Sequence, residues 1–101
     1  MIGGSLGSHD GLEIYHDTNH SYIDDSGTGN LYLRSGTLSI QNLAGSKTSA
    51  LFQSGSGQEL YYNNSKKFET LGAGVTVTGT TFSNQLSVSG VATATSFDGS
   101  L

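Results

Sequence analysis

The sequence predicts an all-β fold, and three observations carry that reading. Apolar and polar residues alternate with a period of two in several short runs. Clusters of Gly, Ser, Asn and Asp separate those runs at short intervals. No window sustains apolar residues at the i, i+3, i+4, i+7 spacing of an amphipathic helix.

In chain order, the first alternating run is Leu12-Glu13-Ile14-Tyr15, closed by the polar turn Asp17-Thr18-Asn19. Ser26-Gly27-Thr28-Gly29 then leads into Leu31-Tyr32-Leu33-Arg34 and on to Leu38-Ser39-Ile40-Gln41. Further turns are expected at Ala44-Gly45-Ser46, Ser54-Gly55-Ser56-Gly57, Asn63-Asn64-Ser65 and Gly72-Ala73-Gly74. The last two runs are Val75-Thr76-Val77-Thr78 and Leu86-Ser87-Val88-Ser89. Each run places aliphatic side chains on one face and hydroxyl, amide or charged groups on the other.

Two internal echoes refine the architecture. EIYHDTNHSYID (Glu13–Asp24) lines up with ELYYNNSKKFET (Glu59–Thr70), and VTVTG (Val75–Gly79) returns as LSVSG (Leu86–Gly90). The repeated unit is strand, polar turn, strand, glycine loop, strand. The expected division is therefore an N-terminal segment over 1–10, flexible or anchoring, a first β-repeat over 11–57, and a second over 58–101 ending in short V-x-V-x-G strands. Short repeats bury their apolar faces against neighbours rather than in one globular core, and two copies fall below the three or so that a self-standing stack needs.

Composition points the same way. The chain has 101 residues, of which only 34% are hydrophobic, and no cysteine. Disulfides and thiolate zinc sites are excluded, so oligomerisation is the expected source of stability. The resulting expectation is an elongated, repeat-built, intertwined homotrimer of β-helix or β-prism type. Its shared core would be lined by Leu12, Ile14, Leu31, Leu33, Leu38, Ile40, Val75, Val77, Leu86 and Val88. Threefold closure would also cover strand edges.

The charge pattern removes several function classes. Net charge is −4, and the cations Arg34, Lys47, Lys66 and Lys67 are scattered, so no nucleic-acid partner is expected. No run approaches the roughly 20 apolar residues of a membrane-spanning helix, and Met1–Gly7 lacks the pattern of an export signal.

Candidate chemical sites each have a plainer structural reading. His16 and His20 could share a metal on a helix, but here they flank a turn, and the second copy has Tyr62 and Lys66 in their places. Asp24–Asn30 spaces oxygen side chains like a calcium loop, yet has Ser35 where a bidentate Glu is needed. Glu13, Glu59 and Glu69, with Asp24, Asp25 and Asp98, invite a glycosidase reading, which requires two carboxyls roughly 5–9.5 Å apart in a groove. Glu13 and Glu59, at alternating positions, read better as outward residues on polar strand faces. Tyr15, Tyr22, Tyr32, Tyr61 and Tyr62 fit packing at a core boundary, with sugar stacking as the rival reading. No catalytic residue, cofactor or metal is expected.

The strings LEIYHDTNHSYI, GTGNLYLRSGTLSIQN, ELYYNNSKKFETLGAGVTVTGT and GVATATSFDGS resemble the repeats of tail-fibre and other fibre-like virion proteins, especially of phages infecting marine bacteria and cyanobacteria. The resemblance spans about Gly11 to Gly99. Thr18 stands where that family commonly has a turn glycine, and Asn63 where aspartate is frequent; neither change disturbs a hairpin. The resemblance implies a non-enzymatic fibre, spike or decoration protein on the exterior of a virion, tail or capsid, made in the host cytoplasm. Its implied partners are its own copies and other virion proteins. Host-surface glycans would be a further partner at the turn residues Asp17, Asn19, Asn63 and Asn64. A glycan-binding β module and a fragment of a polysaccharide-degrading tailspike are the alternatives.

Overall fold

The structure is a computed structural model that describes residues 11–99; the expected N-terminal segment over 1–10 lies outside them. Its regular elements are all strands: β1 (Leu12–His16), β2 (Ser21–Asp25), β3 (Thr37–Gln41), β4 (Thr48–Gln53), β5 (Glu59–Tyr62), β6 (Ser65–Leu71) and β7 (Gly74–Val77). They form two antiparallel systems, a β1-β2 hairpin and a five-stranded meander in the order β3-β4-β5-β6-β7. The fold is all-β. The chain divides into compact units at Leu38 and Ser39. Across residues 57 and 58, the bounds of the expected repeats, β4 pairs directly with β5 through Ala50↔Leu60 and Leu51↔Glu59.

In the first unit, β1 and β2 pair in one unbroken register that sets Glu13 opposite Asp24, Ile14 opposite Ile23 and Tyr15 opposite Tyr22. The loop between them is an Asx turn. Asp17 Oδ1 accepts from the Asn19 and His20 amides at 2.8 and 2.7 Å, and the Asp17 amide donates to the His20 carbonyl at 2.9 Å. At the open end, the Ser26 amide donates to the Gly11 carbonyl at 2.7 Å. Gly11 has φ +118°, and a Cβ there would lie 2.6 Å from the Gly27 Cα, so this closure needs glycine on both counts.

In the second unit, Asn42 organises the β3-β4 loop by accepting from the Ser46 and Lys47 amides at 2.9 and 3.0 Å. The β4-β5 loop is clamped by two glutamines: Gln58 Nε2 donates to the Gln53 carbonyl at 2.8 Å and Gln58 Oε1 accepts from the Gln53 amide at 2.6 Å. The β5-β6 turn is Asn63-Asn64, with φ of 49° and 68°. Two central residues with positive φ make a type I′ turn, whose twist matches the flanking strands.

That tight turn changes the register relative to the first hairpin. The echo between the two copies places Glu59 opposite Thr70, but the structure pairs Glu59 with Glu69 and Leu60 with Phe68. Pairing then steps to Tyr61↔Lys66, leaving Lys67 as the extra residue of a β-bulge. Without the bulge, Phe68 would face Glu59; with it, Phe68 stays beside Leu60 on one face, and Lys66 and Glu69 share the other.

Two expected strands are absent. Leu31–Arg34 and Leu86–Ser89 keep their alternating pattern, but among the described residues no strand pairs with them to take their backbone hydrogen bonds. Around the first, the Arg34 guanidinium lies 5.0 Å from the Tyr32 ring centroid. Conversely, β4 was not evident as a strand, because Ala50-Leu51-Phe52 breaks the alternation.

Candidate functional site

The sheet of the second unit has two chemically different faces. A row of apolar side chains runs across four strands through the cross-strand pairs Ala50↔Leu60, Leu60↔Phe68 and Phe68↔Val77. Val75, opposite Thr70, extends the same face. Of this row only Ala50 is buried, at 8% relative exposure; Phe68 keeps 37% and Val77 45%. In the first unit, the pair Ile14 and Ile23 is likewise open, at 54% and 57%.

Ala50 is the one buried hydrophobic residue among those described. Apolar strand faces are thus formed and aligned but not covered, and this open surface is the site with most to explain.

The expected core residues are not buried together in one copy. Leu12 and Leu38 are half-buried. Ile14, Ile40, Val75 and Val77 are exposed on strands, whereas Leu31, Leu33, Leu86 and Val88 are exposed outside them. Ile23, Leu60 and Phe68 join the apolar faces although alternation within single runs did not single them out. The missed signal was pairing: each lies opposite an apolar residue once the turn is placed.

The polar face carries the ionisable groups. Lys66 Nζ lies 2.8 Å from Glu69 and 3.6 Å from Glu59, joining two carboxylates that oppose each other across the β5-β6 pair. Its pKa is raised, chiefly by the hydrogen bond to Glu69. The Tyr61 hydroxyl donates to Glu59, and that bond raises the Tyr61 pKa. The equivalent face of the first hairpin has no lysine. Tyr15 donates to Asp24 and Tyr22 to Asp17, both at 2.9 Å, while the two rings stack at 4.8 Å. Each tyrosine pKa is raised, first by its carboxylate partner. The Asp17 pKa is lowered, first by the Asn19 and His20 amides and then by Tyr22.

The histidines do different things. His16 Nδ1 bonds Ser21 Oγ at 2.9 Å, whereas His20 stands edge-on to Tyr22. Among the described residues, no three His, Cys, Asp or Glu side chains gather to hold a metal. Within Asp24–Asn30, Asp24 and Asp25 end β2, and in the bend that follows Asp25 Oδ1 accepts from the Gly27 amide and Gly29 adopts φ +93°.

The turn residues considered for glycan contact have structural partners. Asp17 uses both carboxylate oxygens within its hairpin, and Asn63 Oδ1 accepts from Lys47 Nζ at 2.6 Å. Asn64 contacts the Ser46 carbonyl at 3.4 Å. Asn19 contributes its amide to the Asx turn. No protein-family model, curated protein or solved structure matches this chain.

Proposed function

We propose that this chain is a non-enzymatic structural protein of a phage virion, a fibre, spike or capsid-decorating element assembled as an intertwined homotrimer. The observation that carries the reading is the uncovered apolar surface. Phe68, Leu60, Val75 and Val77 lie aligned on one sheet face and remain exposed in a single copy. Burying a side chain of this size stabilises by about 1.5–3 kcal/mol, which a lone copy largely forgoes. Copies of the same chain would supply the missing wall, forming a repeat-built β-helix or β-prism.

The virion setting rests on the resemblance of YYNNSKKFETLGAGVTVTG and its flanking strings to phage fibre repeats. In that setting, inter-strand hydrogen bonds give stiffness, while Ser, Thr and Asn faces keep the assembly in water. Other virion proteins would anchor one end, and the exposed hairpin tips would be the part presented to the host surface.

Light scattering on the purified chain tests the assembly directly. A mass of three chains is expected at micromolar concentration. A folded, stable monomer would refute it. Labelling of purified particles with an antibody against the chain tests the virion setting, which fails if intact particles carry none of it.

A further inference from the structure

We propose that residues Leu86–Ser89 of one copy add as a strand to the free edge of β7 in a neighbouring copy. This inference rests on the self-assembly part of the proposed function and is independent of the virion setting.

The edge comes first. β7 ends the sheet order, with β6 on one side and, among the described residues, no strand on the other. The Thr78 amide donates to the Lys67 carbonyl at 2.9 Å. Backbone direction alternates along an antiparallel strand, so Thr76 also turns its N–H and C=O towards β6, while Val75 and Val77 turn theirs outward. Natural edges are usually blunted by a charge, a proline or a bulge. Gly74–Val77 contains no charged residue and no proline, and its pairing with β6 is regular.

The occupant comes from the echo. Leu86-Ser87-Val88-Ser89 repeats the pattern of Val75-Thr76-Val77-Thr78 and adds no charge. It forms no strand in its own chain, and Leu86 is 83% exposed. Laid along β7, it continues both faces of the sheet. Leu86 and Val88 extend the Val75–Val77 apolar face, and Ser87 joins Thr76 on the polar one. For a chain of net charge −4, an uncharged edge is also where two copies meet without repulsion. The contact is heterologous, edge to tail, so it closes on itself only as a ring of copies. Main-chain hydrogen bonds provide affinity and the alternating side chains set register, as in other strand additions.

Three full-length variants test this: Thr76→Cys, Ser87→Cys and Ser89→Cys. Each carries a single thiol, because the native chain has no cysteine. The Thr76→Cys chain is unfolded and refolded together with one of the other two, then oxidised mildly with copper-phenanthroline in air. The expected product is a disulfide linking the two different variants, in preference to either self-linked pair, located by peptide mass spectrometry. Val88→Pro in the full chain removes one backbone donor and is expected to weaken assembly at least tenfold by light scattering. Trimers that yield no mixed disulfide with either serine variant, or that tolerate Val88→Pro unchanged, would overturn the strand addition while leaving self-assembly intact. A monomeric wild-type chain would overturn both.

Discussion

Val77→Thr offers the sharpest measure of the open sheet face, because it keeps side-chain shape and β-propensity while replacing a methyl by a hydroxyl. Val77 pairs with Phe68 and retains 45% of its surface in one copy. If assembly covers that remainder, the apolar contribution at stake is about 0.7–1.3 kcal/mol per chain, scaled from about 1.5–3 kcal/mol for full burial of an aliphatic side chain. Over three chains this becomes about 2–4 kcal/mol, or between about thirtyfold and a thousandfold in the association constant. The assay is sedimentation equilibrium over a dilution series, comparing wild type with variant. If Val77 stayed solvated after assembly, the substitution would act alike on the single copy and the assembly, and association would be nearly unchanged. A shift in association of less than about threefold would therefore remove this face from the interface.

Three further predictions concern the local architecture. Gly57→Ala places a Cβ 2.2 Å from the Thr70 carbonyl oxygen, beside the Thr70 amide bond to Gln58 O and the Gln58 amide bond to Thr70 Oγ1, both 3.0 Å. Losing both bonds should cost about 2 kcal/mol in urea unfolding, and wild-type stability would contradict the clamp. Asn64→Val should destabilise by about 1–2 kcal/mol because Asn64 sits at φ 68°, whereas Asn64→Gly should be tolerated in thermal melts; equal effects would exclude the type I′ turn. Asp17 has a folded pKa below its ordinary value of 3.8, so its stabilisation of the first hairpin is present above that pH and lost as pH falls through and below it. The Asn19 and His20 amide resonances should shift together in that range, and Asp17→Asn should abolish the transition.

Much of this fold was legible because the two copies repeat a frame. Ile14-Tyr15 and Leu60-Tyr61, each before a polar turn, pointed to two hairpins, and both are present as β1-β2 and β5-β6. The turn clusters at Ala44–Ser46 and Ser54–Gly57 bracketed β4, yet the strand itself was hidden. Its central residue, Ala50, is buried and its neighbours Leu51 and Phe52 are both apolar, so no two-residue rhythm marks it. Register was less legible still. The sequence echo cannot distinguish the longer Asx loop of the first hairpin from the two-residue turn of the second, and the bulge at Lys67 follows from that difference. Alternation also reports a wish for a partner strand without naming one. Leu31–Arg34 and Leu86–Ser89 therefore look like strands in sequence and are unpaired in the single chain. For the same reason, Leu60 and Phe68 entered the apolar face only when cross-strand pairing was known.

With Ala50 as its buried apolar residue, one copy has little to lose by unfolding and little to gain by folding first. If copies assemble as proposed, chain collapse and association become a single event, whose rate rises with the concentration of newly made chains. Late in synthesis, when copies are abundant, folding would be fast; early copies would wait as protease-sensitive polypeptide. Abundance itself would act as the quality control, since only chains that meet their copies persist.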